Sequence, residues 1–255
     1  GAGSAFPPRA RHLLRAGRHS VPLGERTLVM GILNVTPDSF HDGGRYLTAD
    51  VALARAREMV DAGACIIDIG GESTRPGAGK VSVNEELERV LPVIEAVVSG
   101  TDIPISIDTS KAEVAREALK AGARMVNDIT ALRGDDEMAA VVAAAGCPVC
   151  LMHMQGEPGN MQKNPRYDDV VTEITAFFEE RVEWAVARGV LPENIVLDPG
   201  IGFGKKLEHN LAILRHFERF LPLGLPLMIG ASRKSFIGAI MGDDGTGERL
   251  PGTIA

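Results

Sequence analysis

Three polar side chains stand in separate short apolar runs and could act together on one ligand. Asp108 and Asp198 each end such a run, and Asn127 lies in a third run between them in the chain. Carboxylate and amide oxygens accept hydrogen bonds, so together these side chains would suit a ligand that is rich in N–H donors. Each residue alone could instead cap a helix, and this alternative is strongest for Asp108, because residues 109–111 open a helical pattern.

Two adjacent cations follow a later apolar run. Arg233 and Lys234 lie between Ser232 and Ser235 at the start of a helical pattern, where main-chain N–H groups lack partners within the helix. Cations beside free N–H groups favour an anion, and phosphate often binds at this position of an α/β barrel. The alternative is a solvated helix start that Ser232 caps.

A glycine-rich turn, DPGIGFGK, spans residues 198–205 directly after an apolar run. It is not a dinucleotide fingerprint, because the third glycine would fall at Lys205, and it is not a phosphate loop, because no Ser or Thr follows the lysine. We interpret it as a turn that holds Asp198 in a pocket and brings the backbone close to a ligand. A tight turn without a ligand is the alternative.

Two other motifs favour structural roles. Cys147 and Cys150 form a C-x-x-C motif that falls in an apolar run, and no second ligand pair exists, so neither zinc binding nor redox chemistry is expected. His153 could serve as an acid or a base. A single histidine at a strand end is, however, more often a hydrogen-bonded structural residue.

The elements that must position these residues are apolar runs that alternate with helical patterns such as 51–60 and 113–120. Several helical patterns end in a glycine, which tolerates the left-handed conformation of a helix end. Two connecting loops, 36–44 and 71–79, are long and polar, as is typical of loops that order around a substrate. The predicted strands are 27–35, 65–70, 104–109, 124–129, 148–153, 194–198 and 226–230, and the helix-ending glycines are Gly63, Gly122, Gly146 and Gly189.

Strand and helix repeated in this way predict a parallel sheet in the α/β class. An open doubly wound sheet would bind its ligand at one switch point, whereas a barrel collects functional residues from many strand ends. Polar residues follow every run here, which favours a (β/α)8 TIM barrel. The spacing of the runs places the eighth strand just beyond Ala255, so we expect the eighth strand-helix unit to lie outside this chain, or a partner chain to cover the gap. The polar strand ends are Asn34, Glu72 with Thr74, Asp108, Asn127 with Asp128, His153, Asp198, and Arg233 with Lys234.

The N-terminus precedes the barrel. We expect residues 1–26 to form an extension with a hairpin, and residues 27–255 to form the barrel domain. Residues 20–29 predict the hairpin, with Gly24 in its turn. The alternative is a transit peptide, because the chain is rich in Arg and has no acid before Glu25.

Composition narrows the function classes. The chain has 255 residues, a net charge of −7 and 4% aromatic residues, which is unfavourable for nucleic-acid binding. The apolar stretch at 138–151 carries no charge but is shorter than the ~18 residues of a membrane span, so no membrane segment is expected. Three cysteines cannot form a disulfide framework and predict reduced thiols in a cytoplasmic protein.

From residue 30 to its end the chain resembles the dihydropteroate synthase family. The resemblance rests on blocks in one order: GILNVTPDSF at 31–40, GESTRPG at 71–77, SIDT at 106–109, VNDI at 126–129, LMHM at 151–154, LDPG at 197–200 and SRKS at 232–235. It implies a TIM-barrel homodimer of folate biosynthesis, a transferase that condenses 6-hydroxymethyl-7,8-dihydropterin diphosphate with 4-aminobenzoate and releases diphosphate. The implied reaction is displacement at the exocyclic CH₂, in which Mg²⁺ and cations stabilise the departing diphosphate.

The resemblance also implies roles for individual residues. Catalytic roles fall to Asn34, Asp108, Arg233 and Lys234. The pterin site would comprise Asp108, Asn127, Met152, Asp198, Phe203 and Lys234. The aminobenzoate site would comprise Phe40, Thr74, Arg75, Pro76 and Ser235. Asn34 would be the Mg²⁺ ligand, because a hard oxygen suits a hard cation.

One family feature lies outside the chain, an Arg-x-His motif on the eighth strand that helps to bind diphosphate. Two alternative functions remain. A pterin-dependent methyltransferase shares the barrel and the pterin carboxylates, but would not need the GESTRPG loop or the SRKS block. A non-enzymatic pterin-binding protein would not need Asn34 and Lys234.

Overall fold

Each strand of the main sheet is followed by a helix. In the computed structural model, residues 9–36, 48–75, 77–157 and 160–231 are described. Their strands are β1 (His12–Ala16), β2 (His19–Leu23), β3 (Val29–Asn34), β4 (Ala64–Gly70), β5 (Ile105–Asp108), β6 (Met125–Asp128), β7 (Val149–Met152) and β8 (Ile195–Asp198). Their helices are α1 (Ala49–Asp61), α2 (Val83–Gly100), α3 (Ala112–Ala121), α4 (Met138–Ala145), α5 (Val170–Val186) and α6 (Leu207–Arg215), with 3₁₀ segments at Pro192–Asn194 and Phe217–Leu223.

Strands β3 to β8 form one parallel sheet in sequential order. Sequential order is that of a barrel wall, whereas a doubly wound sheet reverses its order at a switch point. The six corresponding predicted strands are confirmed within two residues at each end. The seventh, predicted at 226–230, lies beside β8 but pairs only through an isolated bridge between Leu197 and Leu227.

Side chains alternate between two faces of this sheet, and each face packs against a different layer. In β4, Ile67 and Ile69 join the core that the helices cover, whereas Ile66 joins a second cluster on the inner face. Leu14 and Val21 of the β1–β2 hairpin pack into this inner cluster. The hairpin therefore closes the N-terminal end of the barrel interior. The other buried members of the inner cluster are Met125, Cys150 and Val196.

The N-terminal hairpin forms, but its predicted turn is wrong. Strands β1 and β2 pair antiparallel around a two-residue turn at Gly17 and Arg18. Gly24, the predicted turn residue, follows β2 instead, with φ of +102°. The prediction failed because the Arg-rich segment obscures an alternation along β1, in which Leu14 and Ala16 are buried whereas Leu13 and Arg15 are exposed.

Local signals set the helix boundaries. Thr48, Ser82 and Asp169 accept hydrogen bonds from backbone N–H groups at the starts of α1, α2 and α5. The predicted helix-ending glycines Gly63, Gly122, Gly146 and Gly189 all have positive φ, between +60° and +120°. These signals set where each helix begins or ends, and these glycines end their helices shortly before the next strand begins.

The uncharged stretch at 138–151 becomes α4 followed by β7, as predicted. Cys147 and Cys150 are buried there, and burial raises the pKa of the Cys147 thiol to about 11. A thiol that stays protonated is a poor nucleophile and a poor metal ligand, which supports the structural role. None of the helices in the described ranges combines the length and the apolar composition that a membrane span requires.

Candidate active site

The C-terminal ends of the first four barrel strands place polar residues side by side. Asn34 pairs with Gly70, Gly70 with Asp108, and Asp108 with Asn127 in the parallel register. Paired residues on neighbouring strands point to the same face and lie about 4.8 Å apart. The side chains of Asn34, Asp108 and Asn127 therefore form one row at the mouth of the barrel.

Gly70 makes room for the Asp108 carboxyl. A Cβ atom at residue 70 would lie 3.3 Å from the Cβ of Asp108 and 3.4 Å from its Oδ2. Asp108 does not cap the following helix. The residue at the N-cap of α3 is Lys111, and the N–H of Ala112 donates to Asp135 at 2.8 Å. The helix-cap alternative for Asp108 is therefore excluded.

Asp108 lies among other acidic side chains. Burial, followed by the charges of Asp68 and Glu86, raises the pKa of the Asp108 carboxyl well above its ordinary value. Carboxyl groups that repel one another in a confined space favour a ligand that brings N–H donors or positive charge.

Asn127 is held by Asp68, a residue that the motifs of the sequence did not single out. The Nδ2 of Asn127 donates to the Oδ2 of Asp68 at 3.1 Å, and both side chains are buried. Burial raises the pKa of the Asp68 carboxyl to about 6, although the Asn127 and Ser106 side chains act to lower it. The charge of Asp198 raises this pKa further, so Asp198 belongs to the same group. The available signal was an acidic residue inside an otherwise apolar strand.

Asp198 is fixed by the glycine-rich turn that follows β8. Its Oδ1 accepts a hydrogen bond from the N–H of Gly200 at 2.8 Å. Gly200 has φ of +72°, and a Cβ atom there would lie 2.0 Å from the carbonyl oxygen of His153. Only glycine fits this position. The turn thereby orients a buried carboxylate at the end of its strand.

Lys205 ties the same turn to the end of β7. Its Nζ donates to the carbonyl oxygens of Gly200 at 2.9 Å, Phe203 at 2.8 Å and His153 at 3.3 Å, and its side chain is buried. The sequence alone indicated no role for Lys205, which served only to exclude a dinucleotide fingerprint. The structure shows that it stabilises the turn that positions Asp198.

An apolar surface adjoins Asp198. Met152 pairs with Asp198 in the register of β7 and β8. It clusters with Met154 and Met161, and Phe203 packs against this cluster. The structure thus places both apolar residues of the predicted pterin site, Met152 and Phe203, on one surface next to a buried carboxylate.

His153 is packed rather than hydrogen-bonded through its ring. The ring lies edge-on to Phe177 with 4.9 Å between centroids, and its buried Nδ1 has no partner in the part of the chain that the structure describes. Burial, followed by the charges of Lys205 and Arg133, lowers the pKa of His153 to about 2. A ring that stays neutral at physiological pH supports the structural role over acid-base chemistry.

The loop after β4 carries two predicted aminobenzoate contacts, the half-buried Thr74 and the exposed Arg75. The base of this loop is anchored by Lys111, which forms ion pairs with Glu72 and, at 2.7 Å, with Glu86. Residues of the loop and of the end of β3 surround a cavity of about 590 Å³, whose lining includes Thr36, Ser73, Arg75, Lys80, Glu85 and Arg89.

The predicted residues fall into three groups by position. Those at the strand ends and the turn after β8 are Asn34, Asp108, Asn127, Met152, Asp198 and Phe203. Thr74 and Arg75 lie in the adjoining loop. The residues outside the described ranges are Phe40, Pro76, Arg233, Lys234 and Ser235.

Asn34, the predicted Mg²⁺ ligand, lies exposed at the end of β3. No group of three or more His, Cys, Asp or Glu residues that could hold a metal ion occurs in the described parts of the chain. Mg²⁺ often binds through one or two protein oxygens, with waters and substrate phosphates as its other ligands. A single amide oxygen at a strand end fits that donor set.

The sequential sheet and the acceptor side chains at its strand ends match a known class of protein. Residues 30–255 match the family described as pterin binding enzyme, and the chain therefore belongs to this family. The dihydropteroate synthase of Synechocystis is 51% identical over 250 residues, which cover 98% of this chain and 85% of that relative.

Solved structures agree with this assignment. The dihydropteroate synthase of Xanthomonas albilineans with 4-aminobenzoic acid superposes with a TM-score of 0.87 at 44% identity, covering 96% of this chain and 87% of that one. The same enzyme in complex with 7,8-dihydropteroate gives a TM-score of 0.82 at 40% identity, covering 95% and 85%. The predicted family, TIM-barrel fold and activity, a dihydropteroate synthase transferase of folate biosynthesis, are confirmed.

Proposed function

We propose that the strand ends of this barrel hold the pterin ring of 6-hydroxymethyl-7,8-dihydropterin diphosphate, with Asp198 as the anchor. The observation that carries the proposal is the buried Asp198 carboxylate, which the Gly200 N–H orients at 2.8 Å. A carboxylate can accept paired hydrogen bonds from the adjacent N–H donors of the ring's amino-pyrimidinone edge. Met152 and Phe203 offer the apolar surface against which the flat ring would lie.

Asp108 would favour the step that breaks the bond to diphosphate. The C–O bond at the exocyclic CH₂ breaks, its electron pair leaves with diphosphate, and positive charge spreads over the pterin. The pKa of the Asp108 carboxyl is raised by burial and by Asp68 and Glu86, so positive charge beside it relieves an existing repulsion. The aromatic amine then attacks the CH₂, a C–N bond forms and the amine loses a proton.

The departing diphosphate and the carboxylate of 4-aminobenzoate are both anions, and each would bind beside positive groups. Arg233 and Lys234 would bind the diphosphate, and Mg²⁺ held by Asn34 would supply further positive charge to that leaving group. Thr74, Arg75 and Ser235, with Phe40 and Pro76, would contact 4-aminobenzoate. The cavity beside Arg75 and Lys80 suits the carboxylate of that substrate.

We also propose a homodimer located in the cytoplasm. The dimer is supported by the family resemblance. The cytoplasm is supported by the cysteines, because Cys65, Cys147 and Cys150 are all free thiols.

Turnover tests the role of Asp108. Release of diphosphate should require both substrates, and Asp108→Asn should lower kcat by roughly 10²- to 10³-fold, because the variant keeps the shape of the side chain but cannot carry negative charge beside the developing cation. Asp102→Asn is the matched control, since Asp102 is exposed and precedes the same strand. A kcat of Asp108→Asn equal to that of the wild type would contradict this role of Asp108. Absence of diphosphate release by the wild type would instead contradict the activity itself.

The order of binding tests the aminobenzoate site. If loops complete this site around diphosphate, 4-aminobenzoate should bind weakly to the free protein and more tightly when Mg²⁺ and diphosphate are present. Isothermal titration calorimetry measures both affinities. Equal affinities in the two conditions would contradict ordered binding.

A further inference from the structure

Asp68 lies one layer below the row of strand-end residues. It pairs with Ser106 in the register of β4 and β5, whereas Gly70 pairs with Asp108 at the mouth of the barrel. Asp68 keeps only 4% of its surface exposed. One carboxylate oxygen accepts from Asn127, and the Ser106 side chain also acts on this carboxyl by lowering its pKa. Burial of a carboxyl group in this position costs free energy, and this cost indicates a role of Asp68 in the site above it.

The chemistry of this pair fixes the orientation of an amide. An ionised carboxylate can only accept hydrogen bonds, so Asn127 must turn its Nδ2 toward Asp68. The Oδ1 of Asn127 then points the other way, and no described residue donates to it. Without Asp68 the amide could rotate by 180° about its terminal bond and exchange its donor and acceptor faces.

We propose that Asp68 is a positioning residue that holds Asn127 with its Oδ1 toward the ligand, and thereby makes Asn127 an acceptor for a ligand N–H. This inference rests on the proposed pterin site. It gives Asp108, Asn127 and Asp198 the same polarity, so these three side chains all present acceptors and together select a ligand edge that offers N–H donors.

A double-mutant cycle in pterin affinity tests the proposal. Calorimetric titration with 6-hydroxymethyl-7,8-dihydropterin should show a roughly tenfold loss for Asp68→Ala in the wild-type background, because the amide is no longer held. In an Asn127→Ala background the same change should cost less than about twofold, because no amide remains to be positioned. Equal losses in the two backgrounds, or no loss for Asp68→Ala, would overturn the proposal.

A swap of the two side chains covers the case in which Asp68→Ala does not fold. Asn127→Asp alone places two carboxyl groups in contact and should weaken pterin binding. Adding Asp68→Asn restores a donor-acceptor pair and leaves only acceptors at residue 127, so at least about fivefold of the lost affinity should return. No recovery of affinity would contradict the proposal.

Two controls separate this inference from other outcomes. Cys150→Ala disturbs a buried neighbour that pairs with Asn127, and should change pterin affinity less than about twofold. The second control is the wild type itself, whose pterin affinity and turnover are measured under the same conditions. If the wild type itself fails to bind the pterin, the proposed site is wrong. If it binds and turns over but the cycle is additive, only the role of Asp68 is wrong.

Discussion

The two ends of the barrel interior differ in chemistry although the same strands build them. Both ends use inward-facing side chains, because residues two apart on a strand share a face. The lower member of each pair joins the apolar cluster that the hairpin closes. The upper member belongs to the acceptor group, which consists of the row at the mouth and of Asp68 one layer below that row. The pairs are Ile66 and Asp68 in β4, Met125 and Asn127 in β6, and Val196 and Asp198 in β8.

In this protein the position of a residue along its strand, rather than the face of the sheet on which it lies, decides whether its side chain stabilises the fold or contributes to the binding site. The lower layer gains free energy from apolar burial. The upper layer carries a cost, because burial raises the pKa of both Asp68 and Asp108 and thus disfavours their charged forms. Stability and binding should therefore respond to different substitutions, even between adjacent positions on one face.

The largest expected effect is on the glycine that forms the turn at the upper end. Gly200→Ala should lower the free energy of unfolding by roughly 3 kcal/mol or more, because a Cβ atom would meet the His153 carbonyl oxygen at 2.0 Å in a left-handed conformation. Gly146 is the matched control before β7, because it has φ of +60° and a Cβ atom added there would meet no atom within 4 Å. Gly146→Ala should therefore cost only about 1 kcal/mol. Urea unfolding measures both, and equal losses would contradict the close approach.

The next largest effect concerns the buried Asp68 carboxyl, whose raised pKa makes the free energy of unfolding depend on pH. The pKa of Asp68 is about 6 in the folded protein, against an ordinary value of 3.8, so the folded protein keeps a proton there that the unfolded chain releases. Stability from this group is therefore lost as pH rises from about 4 to about 6. Asp68→Asn removes that loss, and its free energy of unfolding relative to wild type should rise by roughly 1–3 kcal/mol across the interval. Urea unfolding at a series of pH values would contradict this if the difference stayed constant.

The smallest effect is expected at His153. Burial lowers its pKa to about 2, so its ring should show no titration between about pH 5 and pH 8 in the folded protein. The same ring should titrate in denaturing urea. Because the unfolded chain takes up this proton first as pH falls, His153 contributes to loss of stability at acid pH. NMR chemical shifts of the ring protons measure the titration, and a midpoint between about pH 5 and pH 8 in the folded state would contradict a packed, neutral ring.

The strands and helices could be predicted because their signals are local. Glycines end the helices, polar residues end the strands, and the apolar runs between them have the right length. The hairpin turn was missed because the four arginines at 9–18 obscured the burial of Leu14 and Ala16. Polar residues at strand ends also predicted that Asp108, Asn127 and Asp198 would stand in one barrel mouth.

The supporting residues of the site could not be predicted in the same way. Asp68 acts through Asn127, which lies 59 positions further along the chain, and Lys205 acts through carbonyl groups as far as His153, 52 positions away. Such roles depend on which strands become neighbours. A buried polar residue inside an apolar strand indicates that it has a hydrogen-bond partner, but the identity of that partner is seen only in the folded structure.

The most direct test of the contrast between the two layers compares Asp198→Asn with Val196→Ala, two inward positions on one strand. Asp198→Asn should lose at least about tenfold in pterin affinity, because a donor replaces an acceptor opposite the ligand's N–H groups, with no drop in unfolding free energy beyond about 1 kcal/mol. Val196→Ala should lose roughly 1–3 kcal/mol of unfolding free energy and less than about twofold in affinity. Calorimetric titration with the pterin and urea unfolding measure both variants. Wild-type affinity in Asp198→Asn, or equal losses of affinity in the two variants, would contradict the division of the barrel interior into a stabilising layer and a binding layer.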